Sequence, residues 1–115
     1  MLRLPVSVRI FLCLVAVDMR RSFDGLAALA EQVVGESPLS GHLFVFRGRR
    51  GDRIKILYWD RDGYALWYKR LEAGVFRFPV DESQAKEISA ADLGLILEGN
   101  DLRSVKRQKR FVLTR

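Results

Sequence analysis

Apolar residues alternate from the start of the chain. Val6, Val8, Ile10, Leu12 and Leu14 share one face of an extended segment, while Ser7 and Arg9 give way to Phe11, Cys13 and Val15 on the other. Such period-two alternation predicts a strand over residues 6–16 that starts half exposed and ends buried on both faces. The period then lengthens. Ser22 offers an N-cap, Asp24 places a negative charge in the first turn, and Phe23, Leu26, Ala27, Ala30, Val33 and Val34 recur at helical spacing. Gly35 follows as a C-cap. This helix can lay one apolar face on a sheet; Gly25 weakens it, and only close packing accounts for a glycine there.

Pro38, Ser40 and Gly41 mark a turn, after which segments 42–47, 53–60, 64–72 and 75–79 have strand character. They are joined by short polar and glycine-bearing loops at 48–52, 61–63 and 73–74, the pattern of an antiparallel meander. Beyond Pro79, Ser89 with Asp92 reads as a capping box for a short helix carrying Leu93, Ile96 and Leu97. The predicted fold is α+β: a mostly antiparallel twisted sheet of four to five strands, with one packed helix and a shorter C-terminal helix. The long apolar N-terminal strand is expected at its centre, residues 1–99 are expected to form one domain, and 100–115 a basic C-terminal tail.

A chain of 115 residues suits one domain and can bury a core without disulfides or metals. Its 49% hydrophobic and 30% charged content excludes a disordered chain. The single cysteine, Cys13, excludes a disulfide within the chain and suits the cytoplasm. A basic start before Ile10–Val17 imitates a secretory signal. The apolar run is far shorter than the roughly 20 residues of a spanning helix. It also favours β structure and stops at Asp18-Met19-Arg20-Arg21, so a buried strand is the better reading and no membrane partner is expected.

Charge alters the picture more. The net charge is +6, and it is segregated. Residues 1–46 carry four groups of each sign; 47–80 carry nine basic and four acidic; 81–98 carry one lysine and five acids; 99–115 carry six basic groups and Asp101. Segregation of this kind is expected where a surface meets phosphates.

The stretch Asp18-Met19-Arg20-Arg21-Ser22-Phe23-Asp24-Gly25-Leu26 is followed by Gly41-His42-Leu43-Phe44-Val45-Phe46-Arg47-Gly48-Arg49-Arg50-Gly51-Asp52. Then come Ile54-Lys55-Ile56-Leu57-Tyr58-Trp59-Asp60, Lys69-Arg70-Leu71-Glu72 and Phe76-Arg77-Phe78-Pro79. Together these blocks resemble the TnpB-type accessory protein, the second open reading frame product, of the IS66 insertion-sequence family. It is unrelated to the RNA-guided nucleases that share the TnpB name. The resemblance covers roughly residues 3 to 98 and none of the tail. It implies a role accessory to DNA transposition, beside a separate transposase that holds the strand-transfer chemistry.

The loop Arg47-Gly48-Arg49-Arg50-Gly51-Asp52-Arg53 is the foremost candidate contact, with four guanidinium groups in seven residues. Guanidinium forks match phosphate oxygens in pairs, and a two-stranded ribbon can enter a major groove. The competing reading is a solvated tip whose arginines pair with Asp52 and nearby acids. The embedded Arg50-Gly51-Asp52 spells an adhesion tripeptide, a coincidence in a chain with no export signal. Trp59, Tyr64, Trp67 and Tyr68, interleaved with Lys55, Lys69 and Arg70, suggest a stacking platform for single strands. Alternation separates them, so a core role is favoured, with at least one tryptophan buried. Arg20 and Arg21 at the strand-to-helix junction are further phosphate candidates, equally suited to capping and surface pairing. The tail cations Arg103, Lys106, Arg107, Lys109, Arg110 and Arg115 give a generic electrostatic footprint.

Catalysis has little support. His42 is the lone histidine, Cys13 lies in an apolar run, and turns and helix starts account for Asp18, Asp24, Asp52, Asp60 and Asp62. No Walker-type loop or zinc-ligand spacing occurs, so no cofactor or metal is expected. The expected function is a non-catalytic accessory of insertion-sequence transposition that binds DNA, its transposase or both. The alternatives are a protein-interaction adaptor without DNA contact and, less fitting, a metal-dependent nuclease.

Overall fold

The computed structural model describes residues 7–99. In chain order the elements are β1 (Ile10–Val17), α1 (Phe23–Leu29) running into a π-helical turn (Ala30–Val34), β2 (Leu43–Gly48), β3 (Arg53–Asp60), β4 (Gly63–Arg70), β5 (Ala85–Ile88) and α2 (Ala90–Leu97). The strands form one sheet in the order β4-β3-β2-β1-β5. Three of its neighbouring pairs are antiparallel, and β1 with β2 is parallel. The α+β architecture and both helices are as the sequence predicts. Parallel neighbours need a crossover, and α1 with its π turn supplies it. As a result β1 and β2 end side by side, with Val17 opposite Gly48.

Both faces of the sheet are covered. Ile10, Leu12, Leu43, Val45, Ile54 and Ile56 point to one face, where Phe76 and the α2 residues Leu93, Ile96 and Leu97 close over them. Phe11, Cys13, Phe44, Phe46 and Leu57 point to the other, under Leu26, Ala27 and Ala30. A strand buried on both sides reads as an unbroken apolar run, which is why Leu43-Phe44-Val45-Phe46 shows no alternation.

Several expectations are corrected. The described strand begins at Ile10, and Val6 lies outside the described residues, as does the basic tail at 100–115. Burial departs from expectation near the end of β1: Ser7 and Arg9 are exposed and Ile10 to Cys13 buried as expected, but Val15 and Ala16 are exposed before Val17 is buried again. The cause is β5, whose four residues pair with Ile10–Cys13 and stop short of Val15 and Ala16. β1 is interior, but β2 takes the middle place.

Segment 75–79 is not a strand. The Phe76 N–H donates to the Gly51 carbonyl at 2.7 Å, and the Phe76 carbonyl accepts from Arg47 Nη1 at 3.0 Å. A loop and a side chain thus occupy the groups a ladder would need. Ala85-Lys86-Glu87-Ile88, which lacks a strand-like composition, becomes β5 through the open edge of β1. Neither tryptophan is fully buried: Trp67 packs against the α2-side core, and Trp59 meets Tyr64 edge-on with centroids 5.1 Å apart.

Local signals fared better at the helix ends. The Ser89 hydroxyl accepts from the Asp92 N–H at 3.1 Å, and Gly35 closes the first helix at φ 81°. Ser22 occupies its N-cap position without a side-chain capping bond. Gly25 is tight against the Arg21 stem: an added Cβ would lie 3.3 Å from Arg21 Cβ.

Candidate nucleic-acid interface

The adjacent carboxyl ends of β1 and β2 open into a cleft of about 310 Å3. Asp18, Met19 and Arg20 line it from the β1–α1 junction; Gly48, Arg49, Arg50, Asp52 and Arg53 line it from the β2–β3 hairpin. Two blocks about thirty residues apart in sequence meet here because Val17 pairs with Gly48.

The walls are fixed by specific contacts. Lys55 is 7% exposed and donates its Nζ protons to the carbonyls of Met19 at 2.7 Å and Arg21 at 2.8 Å, pinning the junction onto β3. The Met19 side chain lies over Gly48 so closely that a Cβ there would be 2.7 Å from Met19 Cγ. Across the cleft, Gly51 closes the hairpin turn at φ 79°, donating to the Gly48 carbonyl at 3.0 Å. Its own carbonyl and that of Asp52 accept the N–H groups of Phe76 and Leu71. The hairpin tip is therefore braced from below.

Arg49 and Arg50 project from this braced tip, exposed, and neither guanidinium makes a hydrogen bond or ion pair with the described residues. Arg53 is held loosely: its Nε lies 4.0 Å from Asp52 Oδ1, and neither buried atom has a hydrogen-bond partner among the described residues. Arg20 grips Asp18 through Nε and Nη2 at 2.7–3.1 Å. That bond, with the Arg49 charge adding to it, holds the Asp18 carboxyl far below the usual carboxylate range. Four guanidinium groups thus face two carboxylates, leaving the cleft net positive.

The structure divides the predicted residues. Arg20, Arg49, Arg50 and Arg53 line the cleft, with Arg21 exposed at the junction and Arg70 opposite Arg53 on β4, paired to Glu72 at 3.0 Å. Arg47 is not brought there. It lies one pleat from Arg53, on the α2 face, bonded to the Phe76 carbonyl and stacked over Phe78 at 4.6 Å. Burial lowers its pKa, as expected for a structural cation. Lys55 is the clamp described above, and Lys69 Nζ donates to the Leu97 carbonyl at the end of α2, 3.3 Å away. Asp52 beside the arginines was expected as a pairing partner; the approach of Asp18 and the Met19–Gly48 contact were not foreseen, and both follow from the parallel pairing, which alternation alone does not reveal.

The other chemistry-bearing groups are engaged elsewhere. His42 Nδ1 accepts the Arg9 main-chain N–H at 3.0 Å, and the ring meets Phe11 edge-on. Cys13 is buried, which pushes its thiol pKa up. Among the described residues no cluster of His, Cys, Asp and Glu could hold a metal ion, and no helix is long and apolar enough to cross a membrane.

Fold and cleft together define an α+β protein with an arginine-lined cleft at the ends of two parallel strands. The model of the family described as IS66 Orf2 like protein matches residues 8–107, and the chain belongs to that family, which is accessory to insertion-sequence transposition. The match begins at residue 8 rather than about residue 3, where the resemblance was expected to start, and extends past Gly99 into the basic tail, which the resemblance left out. Two curated relatives come from Sinorhizobium fredii (strain NBRC 101917 / NGR234). The uncharacterized protein y4hO is 41% identical over 97 residues, 84% of each chain. The uncharacterized protein y4jC is 39% identical over 102 residues, 89% of this chain and 87% of the relative. No solved structure matches the chain significantly.

Proposed function

We propose that this chain is a non-catalytic accessory protein of insertion-sequence transposition that binds DNA through the cleft, acting in the cytoplasm beside its transposase. The convergence of Arg20, Arg49, Arg50 and Arg53 on one braced cleft carries this reading. Among the described residues Arg49 and Arg50 have no ion-pair partner to give up, and Arg53 has only one at 4.0 Å, so phosphate oxygens meet guanidinium forks that no carboxylate already holds. No base-reading element is assigned. Contacts of this kind position DNA rather than read its sequence.

Anisotropy of a labelled duplex across a salt series tests the proposal. Arg20, Arg49, Arg50 and Arg53 on phosphate give a log–log slope of about −3.6. No binding at low salt, or a slope near zero, would remove DNA contact and leave a protein adaptor as the reading.

A further inference from the structure

Among the aromatic residues interleaved with cations, Tyr68 differs from the rest. It is 48% exposed, whereas Tyr64 and Trp67 pack against the two cores and Trp59 packs on Tyr64. It stands opposite Lys55 on the cleft-side face of the β3–β4 ribbon, one cross-strand step from the Arg53–Arg70 pair. The ring is held in place. Lys55 Nζ sits 4.8 Å from its centroid, fixed by the two junction carbonyls, and Arg53 Nη1 donates to its hydroxyl at 3.4 Å. An amine that polarises one side of a ring and a guanidinium that orients its hydroxyl leave a pre-set aromatic surface.

Tyr68, Arg53, Arg70 and Glu72 line a second, shallow recess of about 340 Å3 that opens widely to solvent. Arg53 lines both recesses, so a phosphate site and an aromatic surface share one wall. A base inside a closed duplex has both π-faces covered by its neighbours and cannot use that surface; an unpaired base can. We propose that the second recess receives an unpaired base stacked on Tyr68, with the adjoining phosphate held by Arg53, so that the protein prefers single-stranded or frayed DNA to closed duplex. The proposal rests on the DNA-binding reading of the cleft and names its substrate class.

The test compares wild type, Tyr68→Ala and Tyr68→Phe on a single-stranded oligonucleotide and on a closed hairpin duplex. Tyr68→Ala should weaken single-strand binding roughly 5- to 150-fold with an unchanged salt slope, and leave duplex binding within about twofold. Tyr68→Phe, which keeps the ring, should stay close to wild type. Equal losses on both DNA forms, no loss on the single strand, or a Phe variant as weak as the Ala variant would overturn the proposal. Wild type binding neither form would overturn the DNA reading as well. Arginine-dependent duplex binding with a neutral Tyr68 would overturn the stacking proposal alone.

Discussion

Changing Arg49, Arg50 and Arg53 together to alanine is expected to weaken duplex binding more than a hundredfold at low salt. Three lost charge-assisted contacts at even about 1 kcal/mol each exceed that factor. The log–log salt slope should fall by about 2.7, since each phosphate contact contributes about 0.9. Stability should change little, because Arg49 and Arg50 are exposed and Arg53 makes only a 4.0 Å approach to Asp52 and a 3.4 Å hydrogen bond to the exposed Tyr68 hydroxyl. Arg47→Met is the matched comparison. Arg47 belongs to the same hairpin but bonds the Phe76 carbonyl on the other face, so its loss should lower the urea midpoint and leave the slope unchanged. Binding by the triple variant equal to wild type would detach the cleft from DNA.

The largest effect on stability is expected from Phe44→Ala. Phe44 lies on the middle strand, fully buried, stacked on Phe11 with centroids 5.8 Å apart and ring planes 17° apart. It packs in the core beneath α1, where Leu26 and Ala30 close the space from above. Truncation there leaves a cavity that a braced sheet cannot fill, at a cost of about 3–5 kcal/mol. Against a typical total of about 5–15 kcal/mol this is a large share, and the melting temperature should fall by on the order of 15 °C or more. Val80→Ala, at a residue 79% exposed, should move stability by no more than about 0.5 kcal/mol. Urea melts followed by circular dichroism give both values. A Phe44→Ala penalty under about 1 kcal/mol would contradict the placement of this side chain.

Local signals made most of the fold legible. Alternation placed β1, β3 and β4, helical spacing placed α1, and Ser89 with Asp92 placed α2. Pairings between distant segments were the part not written locally. β5 exists because the first half of β1 needs a neighbour, and segment 75–79 is diverted because Gly51 and Arg47 bind its main chain. The candidate site divides in the same way. The density of arginines at 47–53 was visible, but assigning each to a face required knowing that Arg47 stands opposite Ile54. Lys55 illustrates the limit most clearly. A lysine amid aromatic residues suggests a nucleic-acid contact, yet its amine lies on two carbonyls of the β1–α1 junction, a segment some thirty-five residues earlier. Burying an amine of this kind is tolerable only because both carbonyls pair with it.

The central claim is that DNA meets the protein where the β1–α1 junction and the β2–β3 hairpin converge. An amide-resolved NMR titration of the protein with a short duplex tests it most directly. Shifts concentrated at residues 17–21 and 48–53, and abolished by raising the salt, are the predicted result. Shifts confined to β5 and α2, or none at a tenfold excess of DNA in low salt, would contradict it.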